Sequence, residues 1–238
     1  MRLVPYPFAH PAAVVPLAIA LGRFCVPSAL AIGSVIPDAW YLLPRLTRDD
    51  SHTLGGLLGF CLPAGVLAYL AFHLLLKHPL VALLPDRLAA RVASFATRGL
   101  PAAPAHAVAI SLLAGALTHL AWDGLTHERL VVNGFQLLQH ASTLLGTAYL
   151  AAWLWRRLGE APAAAPALRL SPAARRSTLA LLIVVSAGWA GWVAAAEALA
   201  LPRDADGLRY ALRTAGMAAL QALALSTIGY ATLWRLLR

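Results

Sequence analysis

Residues 178–199, TLALLIVVSAGWAGWVAAAEAL, carry a single charge and are too apolar for the surface helix of a soluble protein. A helix of roughly 20 such residues spans the hydrocarbon core of a bilayer, which is about 30 Å thick. Four further segments have the same character: residues 54–76, 105–122, 135–155 and 210–233. The sequence therefore predicts an all-α, polytopic membrane protein with about five full spans and the lipid bilayer as its main partner.

The composition and the charge agree with a membrane protein and argue against a nucleic-acid-binding protein. Apolar residues make up 60% of the chain and charged residues 12%, about half the fraction usual in soluble domains. The net charge of +9 does not indicate a nucleic-acid partner, because the arginines lie in short loops and form no basic stripe. Loops on one side of the arrangement hold most of the Lys and Arg, which predicts that side to be cytoplasmic and the N-terminus to be outside.

The remaining segments define the domain organisation. Residues 11–21 and 27–43 are short apolar stretches interrupted by prolines and Gly22-Arg23, and predict a tight helical hairpin. Residues 81–96 alternate arginines with leucines and alanines, as an interfacial helix does. We expect a membrane-embedded domain over residues 1–158, a Pro/Ala-rich linker over 159–177 and two C-terminal transmembrane helices over 178–238.

The segment THLAWDGLTH interrupts an otherwise apolar span with His119, Asp123 and His127, one every four residues. Residues four apart lie on the same face of a helix, so these side chains form one polar stripe. Charged groups inside a span are costly and usually face the bundle interior or a wet cavity. The spacing therefore favours a functional site, although a buried His119–Asp123 hydrogen-bonded pair without a metal remains the alternative.

Further polar residues fall near the same, outer ends of their segments in this topology. They come from separate parts of the chain: His10, Asp38, His52 and His140. Mixed histidine and carboxylate ligands suit Zn²⁺ first and Mn²⁺ second. A divalent cation would also offset the cost of holding Asp38 and Asp123 at membrane depth. The residues together predict one shared metal site near the outer membrane surface.

The ordered motifs FAHPAA, IGSVIPD, SHTLGG, HLAWDGLTH and QHASTLLG resemble a family of bacterial membrane proteins known as domain of unknown function 4184. The resemblance covers roughly residues 6–150, and beyond them only the hydropathy is similar. More distantly, the chain is similar to YdjM-type inner-membrane proteins described as metal-dependent hydrolases. An HR or HH pair common in those proteins is absent here, and Ser51-His52 stands in its place.

The resemblance implies a site and a location. The implied ligands are His10, Asp38, His52, His119 and Asp123, with His127 and His140 at the edge of the site. The implied location is the bacterial inner membrane, crossed several times, with the site facing the extracytoplasmic side. The implied class of activity is hydrolysis that depends on a bound metal.

The leading hypothesis for the function is a metal-dependent hydrolase at the outer membrane–water boundary. A divalent cation, or a pair of cations sharing Asp123, would lower the pKa of a bound water toward about 7. Asp38, Asp123 or His127 would take part in catalysis, with Asp38 or His127 relaying the proton. A site at headgroup depth favours a lipid phosphoester as substrate, with Arg45, Arg48 and Arg129 available for its phosphate oxygens. A metal-ion or proton transporter and a non-catalytic membrane scaffold with a structural metal remain alternatives.

Overall fold

The computed structural model describes residues 9–43, 46–96, 99–126, 131–132, 135–165, 169–200 and 204–237. Its helices are α1 (His10–Leu21), α2 (Pro27–Gly33), α3 (Arg48–Ser51), α4 (Leu54–Ala82), α5 (Asp86–Ala93), α6 (Ala105–Thr126), α7 (Leu137–Glu160), α8 (Pro172–Ala200) and α9 (Ala205–Leu236). Gly22–Phe24 and Ile36–Leu42 are 3₁₀ helices, and α4 contains π-helical turns at Leu57–Cys61 and Phe72–Leu76. One short antiparallel pair joins β1 (Val131–Val132) to β2 (Phe135–Gln136). The all-α prediction is confirmed.

Within the described residues, four helices are long and apolar enough to cross a membrane: α4, α6, α8 and α9. They correspond to four of the five predicted spans, and the chain is a polytopic membrane protein. The fifth, predicted over residues 135–155, coincides with α7 but is not among the four. Its helix is 24 residues long, yet polar residues such as Gln139 and His140 in its first turns lower its hydropathy.

The predicted N-terminal hairpin consists of α1 and α2, which pack against each other. Helix α1 ends at Gly22, whose φ of +51° is a conformation that side-chain-bearing residues rarely adopt. Helix α2 begins with a proline at its first position, where a missing backbone N–H is harmless. The predicted second stretch, residues 27–43, is divided in two, because the chain leaves α2 at Ser34 and continues as the 3₁₀ helix Ile36–Leu42.

Helices α2 and α6 cross at unusually close range, because glycines face each other at the contact. A Cβ atom added to Gly33 would clash with the backbone carbonyl of Leu112, and one added to Gly115 would clash with that of Leu30. Close approach through small residues is typical of helix packing in membranes. A buried hydrogen bond of 2.9 Å from the Val26 backbone N–H to Ser111 Oγ fastens the same two helices.

The chain forms two compact units. One contains the described residues of 5–72 and 99–160, and its apolar core includes Leu30, Leu112 and Ala116. The other contains the described residues of 73–98 and 161–238, in which α8 and α9 pack side by side. Large apolar side chains such as Ile183 and Trp192 remain exposed on α8, as expected of a surface that faces lipid.

The predicted interfacial helix and linker have counterparts in these units. Helix α5 is shorter than residues 81–96, since residues 81 and 82 still belong to α4. Arg175 of α8 forms a 2.8 Å ion pair with Asp86 at the start of α5. Between Glu160 and Pro172 the described residues adopt no helix, in agreement with the Pro/Ala-rich composition. The domain boundaries at residues 158 and 178 themselves stay predictions.

Candidate metal centre

Five side chains from four separate segments converge in the unit that contains the described residues of 5–72 and 99–160. His10 is the first residue of α1, Asp38 lies in the 3₁₀ helix Ile36–Leu42, and His52 follows α3 directly. His119 and Asp123 lie one turn apart near the end of α6, as their spacing predicted. Their side chains are between 0 and 5% exposed, so the cluster is shielded from solvent.

Local sequence signals position the residues that come from short elements. Pro11 occupies the first turn of α1, which starts the helix at His10. Thr47 and Asp50 form a reciprocal capping box that begins α3, with Asp50 Oδ2 accepting hydrogen bonds of 2.8 Å from both the Thr47 backbone N–H and its hydroxyl. Helix α3 then ends after a single turn, where the His52 backbone N–H donates to the Arg48 carbonyl at 2.8 Å.

Four donor atoms form a closed ring of histidine–carboxylate contacts. His52 Nε2 is 3.7 Å from Asp38 Oδ1 and 3.4 Å from Asp123 Oδ2. His119 Nε2 is 3.6 Å from each of the same two carboxylate oxygens. We refer to these four atoms as the donor ring. The distances are too long for hydrogen bonds, which for N–H···O extend to about 3.2 Å.

These distances lie in the range of ligand-to-ligand separations around a Zn²⁺ ion. Four ligands about 2.0–2.2 Å from a Zn²⁺ ion lie about 3.3–3.6 Å from one another, since a tetrahedron's edge is about 1.63 times its centre-to-corner distance. The four histidine–carboxylate separations in the donor ring are 3.4–3.7 Å, and the ligand atoms of Asp38, His52 and His119 all lie within 4.8 Å of one another. Two imidazole nitrogens and two carboxylate oxygens are also a donor set that Zn²⁺ accepts. The residues present therefore fit a divalent cation.

Hydrogen bonds orient both histidines of the donor ring. His119 Nδ1 is 2.8 Å from the Ser34 carbonyl, which can only accept, so Nδ1 carries the proton. His52 Nδ1 is 2.8 Å from Ser51 Oγ, and that hydroxyl donates its own hydrogen to the Arg48 carbonyl at 3.1 Å. Nδ1 of His52 is then the donor to Ser51. In the neutral form of each imidazole, Nε2 keeps its lone pair. Both Nε2 atoms belong to the donor ring, so their lone pairs are available to a cation, as in histidines that ligate metals.

Several donor-ring atoms are buried without a hydrogen bond. Within the described residues, neither oxygen of Asp38 has a hydrogen-bond partner, and the same holds for Nε2 of His52 and of His119. Burial, together with the nearby carboxylate of Asp123, raises the pKa of Asp38 to about 6. Buried polar groups are almost always satisfied in folded proteins. A cation bound in the donor ring would satisfy three of these atoms at once: Asp38 Oδ1 and the two Nε2 atoms.

His10 lies beside the donor ring. Its ring stacks on that of His119, with centroids 3.8 Å apart, and its Nε2 is 3.7 Å from Asp123 Oδ1. His10, His119 and Asp123 form one set of three that could hold a metal, and Asp38, His52 and His119 form a second. His119 belongs to both sets but has one Nε2 lone pair. The two sets therefore describe a single cation more simply than two cations.

Arg48 contacts the cluster from its exposed side. Its Nη2 donates a 2.9 Å hydrogen bond to Asp123 Oδ2, and its side chain is 38% exposed. With neutral histidines, two carboxylates and one guanidinium leave the cluster with a net charge of −1. That charge is buried and favours a cation, because an uncompensated buried charge is costly.

The structure thus brings together His10, Asp38, His52, His119 and Asp123, the five ligands that the resemblance implied; their binding of a metal stays a prediction. His127 lies outside the described residues. His140 is half-buried in α7 and belongs to neither set of three. Sequence reasoning did not assign roles to Ser34 and Ser51, and it treated Arg48 only as a phosphate contact. Ser51 and Arg48 precede His52 by one and four positions, which was the available signal.

The fold and the site define a class: a polytopic α-helical membrane protein with a buried His/Asp cluster at one end of a spanning helix. The chain belongs to the family described as domain of unknown function DUF4184, whose model matches residues 4–137. That segment contains all five converging residues. No curated protein and no solved structure matches the chain.

Proposed function

We propose that this protein is a membrane-embedded, metal-dependent hydrolase that acts on a lipid phosphoester at the extracytoplasmic surface of the bacterial inner membrane. The observation that carries the proposal is the donor ring, four buried atoms joined by histidine–carboxylate separations of 3.4–3.7 Å, with oriented histidines and a partly exposed arginine beside it. The proposal assigns Zn²⁺ to the ring, with Mn²⁺ as the second choice.

In this proposal each residue has a distinct part. His52 and His119 would hold the cation through Nε2, and Asp38 and Asp123 would hold it through one carboxylate oxygen each, with a further position of the cation open to water or substrate. His10 contributes a further imidazole nitrogen beside Asp123 Oδ1. The bound metal would supply Lewis-acid activation of water and polarise a phosphoryl oxygen.

The position of the cluster along α6 supports chemistry at the membrane surface. Asp123 lies three residues before the end of α6 at Thr126, and Arg48 and His52 lie at the start and directly after the end of the one-turn helix α3. A substrate whose reacting group lies at headgroup depth would reach such a site without leaving the bilayer. This favours hydrolysis over transport, because transport sites usually lie near the midplane.

The first experiment measures metal content by mass spectrometry in the full-length protein, purified in detergent and dialysed against excess Zn²⁺ and then metal-free buffer. We expect about one equivalent in the wild type and almost none in His119→Ala and Asp123→Asn. His106→Ala is the matched histidine control, because His106 is exposed on the same helix α6. Asp49→Asn, at an exposed carboxylate in α3, is the matched control for Asp123.

The second experiment tests turnover with the same proteins reconstituted in vesicles. Zn²⁺-loaded wild type is expected to release phosphate or headgroup from at least one class of lipid phosphomonoester or phosphodiester, and Asp123→Asn is not. Turnover that is equal in wild type and Asp123→Asn for every class would rule out the hydrolase. Circular dichroism and gel filtration of each variant establish that loss of metal or activity does not reflect unfolding.

The burial of the donors favours one second candidate, a structural metal in a non-catalytic scaffold. Structural zinc sites are closed, whereas catalytic sites keep one position open to water or substrate. The two functions predict different consequences of chelation. A structural metal would hold the fold, so its removal would lower the melting temperature sharply while no substrate is ever turned over. A catalytic metal would leave a folded protein that regains turnover when Zn²⁺ is returned.

A further inference from the structure

Arg48 is the one residue of the cluster that faces both the buried carboxylates and the solvent. Its Nη2 is bonded to Asp123 Oδ2, and its side chain is 38% exposed. A guanidinium carries five N–H donors in a planar fork. Among the described residues, Arg48 donates one side-chain hydrogen bond, to Asp123. The other N–H donors of its guanidinium group have no acceptor among those residues.

The bond between Arg48 and Asp123 shares an oxygen with the donor ring. Asp123 Oδ2 is 2.9 Å from Arg48 Nη2, 3.4 Å from His52 Nε2 and 3.6 Å from His119 Nε2. A divalent cation in the ring would draw electron density from this oxygen and repel the guanidinium. Arg48 is the counterion of Asp123 in this structure, and a bound metal would weaken its bond to Asp123.

We propose that Arg48 forms an anion subsite for the oxygens of a phosphate monoester, and that binding of the cation makes this subsite available. Guanidinium groups bind phosphate oxygens through two parallel N–H···O bonds, which a single ammonium cannot reproduce. Cation and anion then bind with positive coupling, which must be reciprocal. The inference rests on the metal site of the proposed function and adds to it a regulated recognition of the substrate.

The test titrates phenylphosphonate, a soluble analogue of a phosphate monoester that is not hydrolysed, into the full-length protein in detergent by calorimetry. Wild type is measured with Zn²⁺ bound and after chelation, and its bound Zn²⁺ is counted beforehand. We expect Zn²⁺ to tighten phenylphosphonate binding by tenfold or more, on the order of one charge-assisted hydrogen-bonded pair. Phenylphosphonate should tighten Zn²⁺ binding by the same factor.

Arg48→Gln separates the contribution of the arginine from direct contact between phosphonate and metal. Loaded Arg48→Gln is expected to bind phenylphosphonate roughly 10- to 100-fold more weakly than loaded wild type. Its affinity for Zn²⁺ should be at least as high, because the competitor for Asp123 is gone. Arg157→Gln is the matched control, since Arg157 lies in the same unit, pairs with Glu160 and is 61% exposed.

Arg48→Lys is a second variant that keeps the test decisive if Arg48→Gln does not fold. It retains the charge without the fork, and we expect an intermediate phenylphosphonate affinity with coupling below that of wild type. Equal affinity in wild type and both Arg48 variants, or no effect of Zn²⁺ on the wild type, would overturn the inference and leave the metal site intact. Wild type that binds no Zn²⁺ would overturn the metal site and this inference together.

Discussion

The close crossing of α2 and α6 should control the metal site, and Gly115→Ala tests this dependence. Gly115 lies one turn before His119 on the same face of α6. The Ser34 carbonyl that orients His119 follows directly after Gly33, at the crossing. Any separation of the two helices is therefore transmitted to the hydrogen bond between Ser34 and His119.

The size of the disturbance follows from the distances. A Cβ atom at Gly115 would clash with the Leu30 carbonyl and would lie 2.8 Å from the Ser34 backbone nitrogen, while ordinary contacts begin at 3.4 Å. The backbone of α2 must then recede by at least about 0.6 Å at Ser34, and by more at Leu30. A shift of this size along the bond from Ser34 to His119 Nδ1 would lengthen it from 2.8 Å to about 3.4 Å or more, beyond the usual limit of about 3.2 Å. Overpacking of about 1–3 kcal/mol and a lost hydrogen bond of about 1 kcal/mol together lower the free energy of unfolding by about 2–4 kcal/mol.

The assay measures thermal unfolding in detergent and Zn²⁺ affinity by competition with a chelator. Gly115→Ala should melt at a lower temperature and bind Zn²⁺ roughly 10- to 100-fold more weakly, as is usual when a partner of a ligating histidine is removed. Gly124→Ala is the matched control. It lies on the same helix, next to Asp123, but a Cβ atom there meets nothing within 4 Å. Wild-type Zn²⁺ affinity in Gly115→Ala, or equal damage in Gly124→Ala, would refute the reasoning.

Three further substitutions have distinct expected outcomes. Ser51→Ala removes the acceptor for His52 Nδ1, so Zn²⁺ affinity should fall roughly tenfold, as a chelator competition would measure. Asp38→Asn should abolish Zn²⁺ binding but stabilise the metal-free protein, raising its melting temperature by the equivalent of about 1–3 kcal/mol. The reason is that it removes a buried carboxylate that has no hydrogen-bond partner among the described residues. A lower melting temperature would contradict this. Gly22→Ala should cost about 1–2 kcal/mol in thermal unfolding with Zn²⁺ affinity unchanged, because φ is +51° and no atom crowds the new Cβ.

Hydropathy and residue spacing were sufficient to predict the long apolar helices and to place one pair of site residues on the same helix face. The long apolar runs predicted α4, α6, α8 and α9, because a bilayer requires every spanning backbone to satisfy its own hydrogen bonds. The i, i+4 spacing placed His119 and Asp123 on one face of α6. The fifth predicted span, residues 135–155, stays a prediction: its helix α7 contains buried Gln139 and polar first turns and is not among the four helices that are long and apolar enough to cross a membrane.

Two contacts that position the cluster have no counterpart in local sequence. The Ser34 carbonyl meets His119 across 85 residues, and Arg48 meets Asp123 across 75. A backbone carbonyl carries no residue signature, and an arginine in a short loop is equally typical of a topology signal. The resemblance to a family implied the five converging residues. How closely they pack depends on the close approach of α2 and α6 at Gly33 and Gly115, which the periodicity of the sequence does not indicate.

The donor ring is buried whereas Arg48 is partly exposed, and this difference helps to distinguish a catalytic metal from a structural one. A purely structural cation needs closed, oriented ligands, and His52, His119 and the two aspartates supply them. Such a site gains little from an exposed guanidinium on one ligand, since Asp123 would already be neutralised by the metal. An enzyme that binds an anion beside its metal does gain, because Arg48 balances Asp123 before loading and becomes available to the substrate afterwards. The exposed arginine therefore favours a metal that meets a substrate over a metal that only holds helices together.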